Sequence, residues 1–195
     1  LYPERDEPQS FQQVPSKPVR EQSEKLEFET ENEDTDHFFQ LHNAYILSQV
    51  KSGLMVIDQQ NAHERILYER YLNLLGNRQA LSQQELFPVK VSFPPAEAEL
   101  LDELTSELNM LGFIIKPDPE EKFHFIVHGT PSGLKQQNVA ELIEGIIDNY
   151  KTNMLELNLD KKYNLARALA KNMSIQRGRK LQQIEMKSMI ESLFA

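Results

Sequence analysis

The folds open to this chain are limited by a change of apolar period at Asp58. On its N-terminal side, residues 44–50 and 54–57 are short apolar runs of strand character separated by the turn Lys51-Ser52-Gly53, a pattern that reads as a β-hairpin. On its C-terminal side the period lengthens: Ile66, Leu67, Tyr71, Leu74 and Leu75 recur at helical spacing, and Gly76-Asn77 ends the run. A hairpin that feeds straight into a helix makes the chain α+β and puts residues 58–61 in the turn between strand and helix.

The rest of the sequence extends that pattern. An extended segment at 86–93 precedes Pro94-Pro95, which pre-set the first turn of a helix with Leu101, Leu104, Leu108 and Leu111 on one face, closed by Gly112. Residues 113–116 and 123–128 read as two strands joined by Pro117-Asp118-Pro119, and Asn138 is placed to cap a helix that buries Val139, Leu142, Ile146 and Tyr150. From about Leu155 the chain is helical: Leu165, Leu169 and Met173 form one stripe, Gly178 breaks it, and Ile184, Met189 and Leu193 predict a final helix. Residues 1–36 behave differently. They carry Pro3, Pro8, Pro15 and Pro18 and eleven acidic against four basic side chains, with no apolar periodicity. Such a segment cannot bury enough surface to offset its ordering entropy, and a disordered linker is expected there.

Composition narrows the chemistry. The formal charge of −9 lies mostly in residues 1–36, so the remainder is nearly neutral and unsuited to a broad non-specific grip on nucleic acid. Cysteine is absent, which excludes disulfides, thiol catalysis and thiolate metal sites within this chain. There is no Walker-type phosphate-binding glycine loop, no charged-then-apolar leader, and no apolar run near the roughly 18 residues that a membrane span needs. Together with a first residue, Leu1, that is not Met, this predicts a soluble fragment of a longer protein with no membrane association.

The segment Val56-Ile57-Asp58-Gln59-Gln60-Asn61-Ala62-His63-Glu64-Arg65-Ile66-Leu67-Tyr68-Glu69 resembles the C-terminal signature of the MutL family of DNA mismatch-repair proteins, in which a strand ends in Asp-Gln-His-Ala and two carboxylates follow at fixed helical offsets. Leu86-Phe87-Pro88, the Pro-Ala-Glu-Ala helix start at Pro95, Leu111-Gly112-Phe113, and Leu169-Ala170 through Ile175 to Gly178 agree in order and spacing, so the resemblance runs from about Phe39 to the C-terminus. It implies an α+β fold in which a discontinuous dimerisation subdomain, residues 37–79 plus 153–195, carries an inserted smaller regulatory subdomain, residues 80–152. It also implies a homodimer in the bacterial cytosol that couples ATP-binding domains elsewhere in the full-length protein to downstream repair factors. A MutS-type mismatch-recognition protein and DNA would be met through that full-length dimer.

In nuclease-competent relatives the signature helps to hold a divalent metal for strand nicking, and a latent endonuclease using Mn2+ or Zn2+ is the competing function. Asp58, Glu64 and Glu69 are the residues that would carry it, with Glu64 as the retained ligand. Glu64 and Glu69 stand about 140° apart around a helix, so they line a broad site and not one tight face. The sequence departs from the family pattern where the chemistry is most demanding. Gln60 replaces the motif histidine, Asn61 the alanine, and Lys171 stands where nuclease-type members place a cysteine. The plainer reading is that Asp58 caps the helix while Glu64 and Glu69 are solvated or paired with nearby arginines, and that His63 is a surface residue.

Two further features accompany the resemblance. Gln83, Leu86 and Pro88 fit the spacing of the short segment by which family members contact the replication sliding clamp; otherwise Leu86 and Phe87 simply open a core strand. Lys161, Lys162, Arg177, Arg179 and Lys180 concentrate positive charge in the closing helices, either to meet DNA phosphates or to favour helix C-termini and solubility.

Overall fold

The computed structural model describes residues 38–77, 81–132, 138–157 and 159–195; the expected linker at 1–36 lies outside them. Three strands, β1 (Phe38–Leu41), β2 (Tyr45–Val50) and β3 (Gly53–Asp58), form an antiparallel meander in that order. The hairpin is where the alternation placed it. Strand β1 was not legible as one: it is only four residues long, and its turn to β2 takes positive φ at His42 and Asn43, 51° and 49°, side chains more tolerant of that region than most. Pairing of Phe38 with Ser48 and of Ile46 with Ile57 sets which side chains share a face. Phe38 and Ile46 turn inward and are buried.

Helix α1 (Gln59–Asn77) begins immediately after Asp58, so the expected four-residue turn does not exist. Asp58 removes the need for it: its Oδ1 accepts the Gln60 and Asn61 amides at 3.0 and 2.9 Å, capping the helix from the last strand position. The first half of α1 packs Ala62 into a small core with Phe38, Ile46, Ile175, Leu181, Met186 and Met189, the last two from α5 (Gln183–Leu193). Its second half sends Leu67, Tyr71 and Leu75 into a larger core. Burial there pushes the Tyr71 phenol up to about 12, and its hydroxyl donates to Met173 Sδ at 2.9 Å.

The larger core is built from β4 (Ser82–Ser92), α2 (Pro95–Met110), β5 (Ile114–Pro117), β6 (His124–Pro131), α3 (Val139–Leu157) and α4 (Lys161–Met173). The three strands form a second antiparallel sheet in the order β4-β6-β5. Leu101, Leu104, Leu108, Leu111, Val139, Leu142, Ile146, Tyr150, Leu165 and Leu169 are all buried, as their helical spacing predicts. Asn138 caps α3 through the Ala140 amide at 3.1 Å. Strand β6 starts at His124 because Phe123 takes φ 63°, and in α5 Ile184 is 68 % exposed instead of joining the buried stripe. No helix among the described residues is long and apolar enough to cross a membrane.

Candidate functional site

The outer face of the first sheet is apolar. Register places Phe39, Leu47 and Val56 in one cross-strand row and Leu41 and Tyr45 in the next, with Leu54 beside Gln49 at the far end. Phe39 is 66 % exposed, Leu54 64 % and Val56 57 %. An antiparallel sheet that alternates apolar-in and polar-out leaves its second face to solvent; here both faces are apolar, and a contiguous exposed patch of that kind marks an association surface. The strand pattern of the hairpin held this information, but β1, which supplies Phe39 and Leu41, was too short to be counted.

At the end of β3 lies the signature junction of strand and helix. Asp58 Oδ1 accepts the Gln60 and Asn61 amides, and Oδ2 accepts from Arg177 Nη2 at 3.0 Å. Gln59 is completely buried: its Nε2 donates to the Asn43 carbonyl at 2.6 Å and the Arg179 carbonyl at 3.0 Å, and its Oε1 accepts from Gln40 Nε2 at 2.6 Å. His63 is not a surface residue. It is half-buried, and its Nδ1 accepts the Ile175 amide at 3.0 Å. Glu64 is half-buried, Glu69 pairs with Arg65 one turn back, Gln60 is half-buried, and Lys171 is exposed on the last turn of α4. Among the described residues no three His, Asp or Glu side chains converge as a metal-binding group. The importance of Gln59 and Gln40 was missed in the sequence, where amides give no periodic signal. Only burial shows them.

The clamp-like segment sits on the edge strand of the second sheet. Leu86 is 92 % exposed and Phe87 85 %, so they do not open a core strand. Pairing of β4 with β6 breaks between Gln84 and Val89, which frees residues 85–88 from the ladder and accommodates Pro88, a residue with no amide hydrogen to donate. Gly129 on β6 allows the close approach of the strand that precedes the break: a Cβ there would stand 2.9 Å from Ser82 Oγ and 3.0 Å from the Gln83 carbonyl oxygen. Gln83 and Pro88 are exposed with the pair.

The basic residues divide. Lys161 pairs with Glu107 at 3.0 Å, Arg177 with Asp58, and Arg179 with Glu185 at 2.6 Å, whereas Lys162 and Lys180 are exposed.

An α+β domain with one sheet face bare and apolar is, by class, an assembly domain. Residues 38–181 match the family described as the MutL C-terminal dimerisation domain. The chain is 40 % identical over 157 residues to the DNA mismatch repair protein MutL of Pelodictyon phaeoclathratiforme, and 39 % identical over the same length to the MutL proteins of Chlorobaculum parvum and Chlorobaculum tepidum. Each alignment covers 80 % of this chain and 25 % of the relative, so the chain spans about a quarter of the length of these proteins. The chain belongs to the MutL family and contains its C-terminal dimerisation domain.

Proposed function

We propose that this chain holds two copies of itself together through the outer face of the β1–β3 sheet, and that the resulting homodimer is a cytosolic docking platform in mismatch repair. The observation that carries this reading is the apolar row Phe39, Leu47 and Val56 with Leu54 and Leu41 beside it, all exposed in the single chain except the half-buried Leu47. Covering such a face removes apolar surface from water at about 25 cal/mol per Å2. In the longer protein the pairing brings together ATP-binding domains outside this chain, so that nucleotide-driven closure around DNA is relayed to other repair factors, a MutS-type protein among them. Docking of the replication sliding clamp uses Gln83, Leu86 and Pro88; supporting it, Leu86 and Phe87 are held out from an edge strand at a register break, where a pocket on a partner can take them. Of the five basic residues named from the sequence, Lys162 and Lys180 are exposed without an ion pair among the described residues and would meet DNA phosphates.

The test is the mass of the whole chain by light scattering. The single chain weighs 22.6 kDa. Twice that mass in the wild type, reverting to the single mass in Val56→Glu, is the expected result; a wild type that stays monomeric at high concentration sinks the proposal.

A further inference from the structure

We propose that the Asp58–Gln59 junction is a latch whose resident cation is Arg177, and that it fastens the α4–α5 connection to the dimerisation sheet in place of seating a divalent metal. The residues present do not fit a hard metal ion. Both Asp58 oxygens are engaged, Oδ1 by two helix amides and Oδ2 by the Arg177 guanidinium at 3.0 Å. Glu69 is paired with Arg65, Gln60 offers a neutral amide, and Lys171 an ammonium. Such an ion would have to displace Arg177 and compete with amide hydrogen bonds at Asp58, and among the described residues no three His, Asp or Glu side chains, Glu64 included, converge to supply the several oxygens that an oxygen-ligated cation needs at once.

The same residues make a continuous set of contacts to the connection at 174–182. The Ile175 amide reaches His63 Nδ1 at 3.0 Å, the Gly178 amide reaches the Asn43 carbonyl at 3.0 Å, and the Leu181 amide reaches Gln40 Oε1 at 3.1 Å. The Arg179 carbonyl accepts from both Gln59 Nε2 and Gln40 Nε2, at 3.0 and 2.8 Å. Gly178 takes φ 90°, a conformation that suits glycine, which lets the connection turn back over Asn43. Gln40 lies on β1 and Asn43 in the β1–β2 turn, so the latch holds the edge strand that carries Phe39 and Leu41. Gln59 and Arg177 are thus positioning residues for the outer face. Only this last consequence rests on the dimerisation reading; the latch itself does not.

Amide hydrogen exchange on the whole chain tests the proposal, with light scattering run in parallel. In Arg177→Met, which alters an exposed side chain, exchange of the Gly178 and Leu181 amides should speed up about three- to tenfold. In Gln59→Leu, which removes one of the two donors to each of the Asn43 and Arg179 carbonyls and takes the acceptor Gln59 Oε1 from Gln40, it should speed up more than about tenfold. Gln60→Ala should leave both rates alone. Manganese alone should neither slow these amides in the wild type nor give a bound-ion paramagnetic resonance signal that depends on Asp58. Unchanged rates in Arg177→Met, or Mn2+ binding that is lost in Asp58→Asn, overturn the latch. A wild type with protected amides that stays monomeric sinks the pairing reading and leaves the latch standing.

Discussion

Leu54→Glu is the sharpest probe of the proposed dimer seam, because Leu54 is 64 % exposed on the outer face of the sheet and its loss costs the isolated chain almost nothing. If the seam covers that exposed portion, the side chain gains roughly two-thirds of the ~1.5–3 kcal/mol that full burial of a leucine is worth, about 1–2 kcal/mol per copy. In a two-fold pair each substitution occurs twice, so the loss is about 2–4 kcal/mol. That corresponds to a dimer dissociation constant raised about 30- to 900-fold, before any charge repulsion or desolvation of the new carboxylate is added. Sedimentation velocity over a concentration series reads the constant directly. Leu155→Glu supplies the comparison: Leu155 is 87 % exposed on α3, an element outside that sheet, and its variant should dissociate like the wild type. A Leu54→Glu chain that folds and pairs with unchanged affinity would rule out a seam on that face, since no apolar seam there tolerates two buried carboxylates.

Three other perturbations have defined outcomes. Leu86→Ala with Phe87→Ala should leave thermal stability within about 0.5 kcal/mol, since both side chains stand in solvent, and should abolish capture of the chain on immobilised sliding clamp. Tyr71 titrates near 12 in the folded chain and near 10 when unfolded, so the folded form holds its proton longer; that contribution is whole below about pH 10 and is lost between about pH 10 and 12, amounting to about 2–3 kcal/mol. Urea titrations should show a shallower alkaline decline in Tyr71→Phe than in the wild type. Lys90 holds the Asp118 and Glu121 carboxyls below the usual carboxylate range, by hydrogen bonds first and charge second. Their contribution is present above the ordinary carboxylate pKa and fades as pH falls through the lowered values, so Lys90→Met should lower stability slightly at neutral pH, leave the acid end unchanged, and thereby flatten the acid limb of the stability curve.

What the sequence revealed and what it hid follow one physical line. Periodic apolar residues reported themselves: the leucines of α2, the stripe Leu165 and Leu169, and the hairpin at 45–58 all lie where spacing put them. Side chains whose role depends on a partner far along the chain did not. Gln40 and Gln59 reach residues 139 and 120 positions away, and neither spacing nor composition carries that information. Asp58 was legible as a cap because its amide partners are its next neighbours, but its ion pair with Arg177 bridges 119 residues. Leu86 and Phe87 misled for a related reason: an apolar pair in an extended segment reads as core unless the register break at Gln84 and Val89 is known.

Helix α1 connects these surfaces mechanically. It has 19 residues, about 28 Å at 1.5 Å per residue. Its first half shares a core with Phe38 and Ile46 of the first sheet, while Leu67, Tyr71 and Leu75 share a core with Val91 of β4, three residues beyond Pro88. Close-packed interiors deform little, so the bare sheet face and the exposed Leu86–Phe87 pair are carried on bodies joined by one helix buried at both ends. The latch at Asp58 and Gln59 sits at the first turn of that helix. A chain that pairs through its first sheet therefore presents two copies of the β4 edge at a spacing fixed by α1 and not by a flexible connection. If the clamp docks there, that spacing decides whether one ring-shaped partner meets both edges or only one.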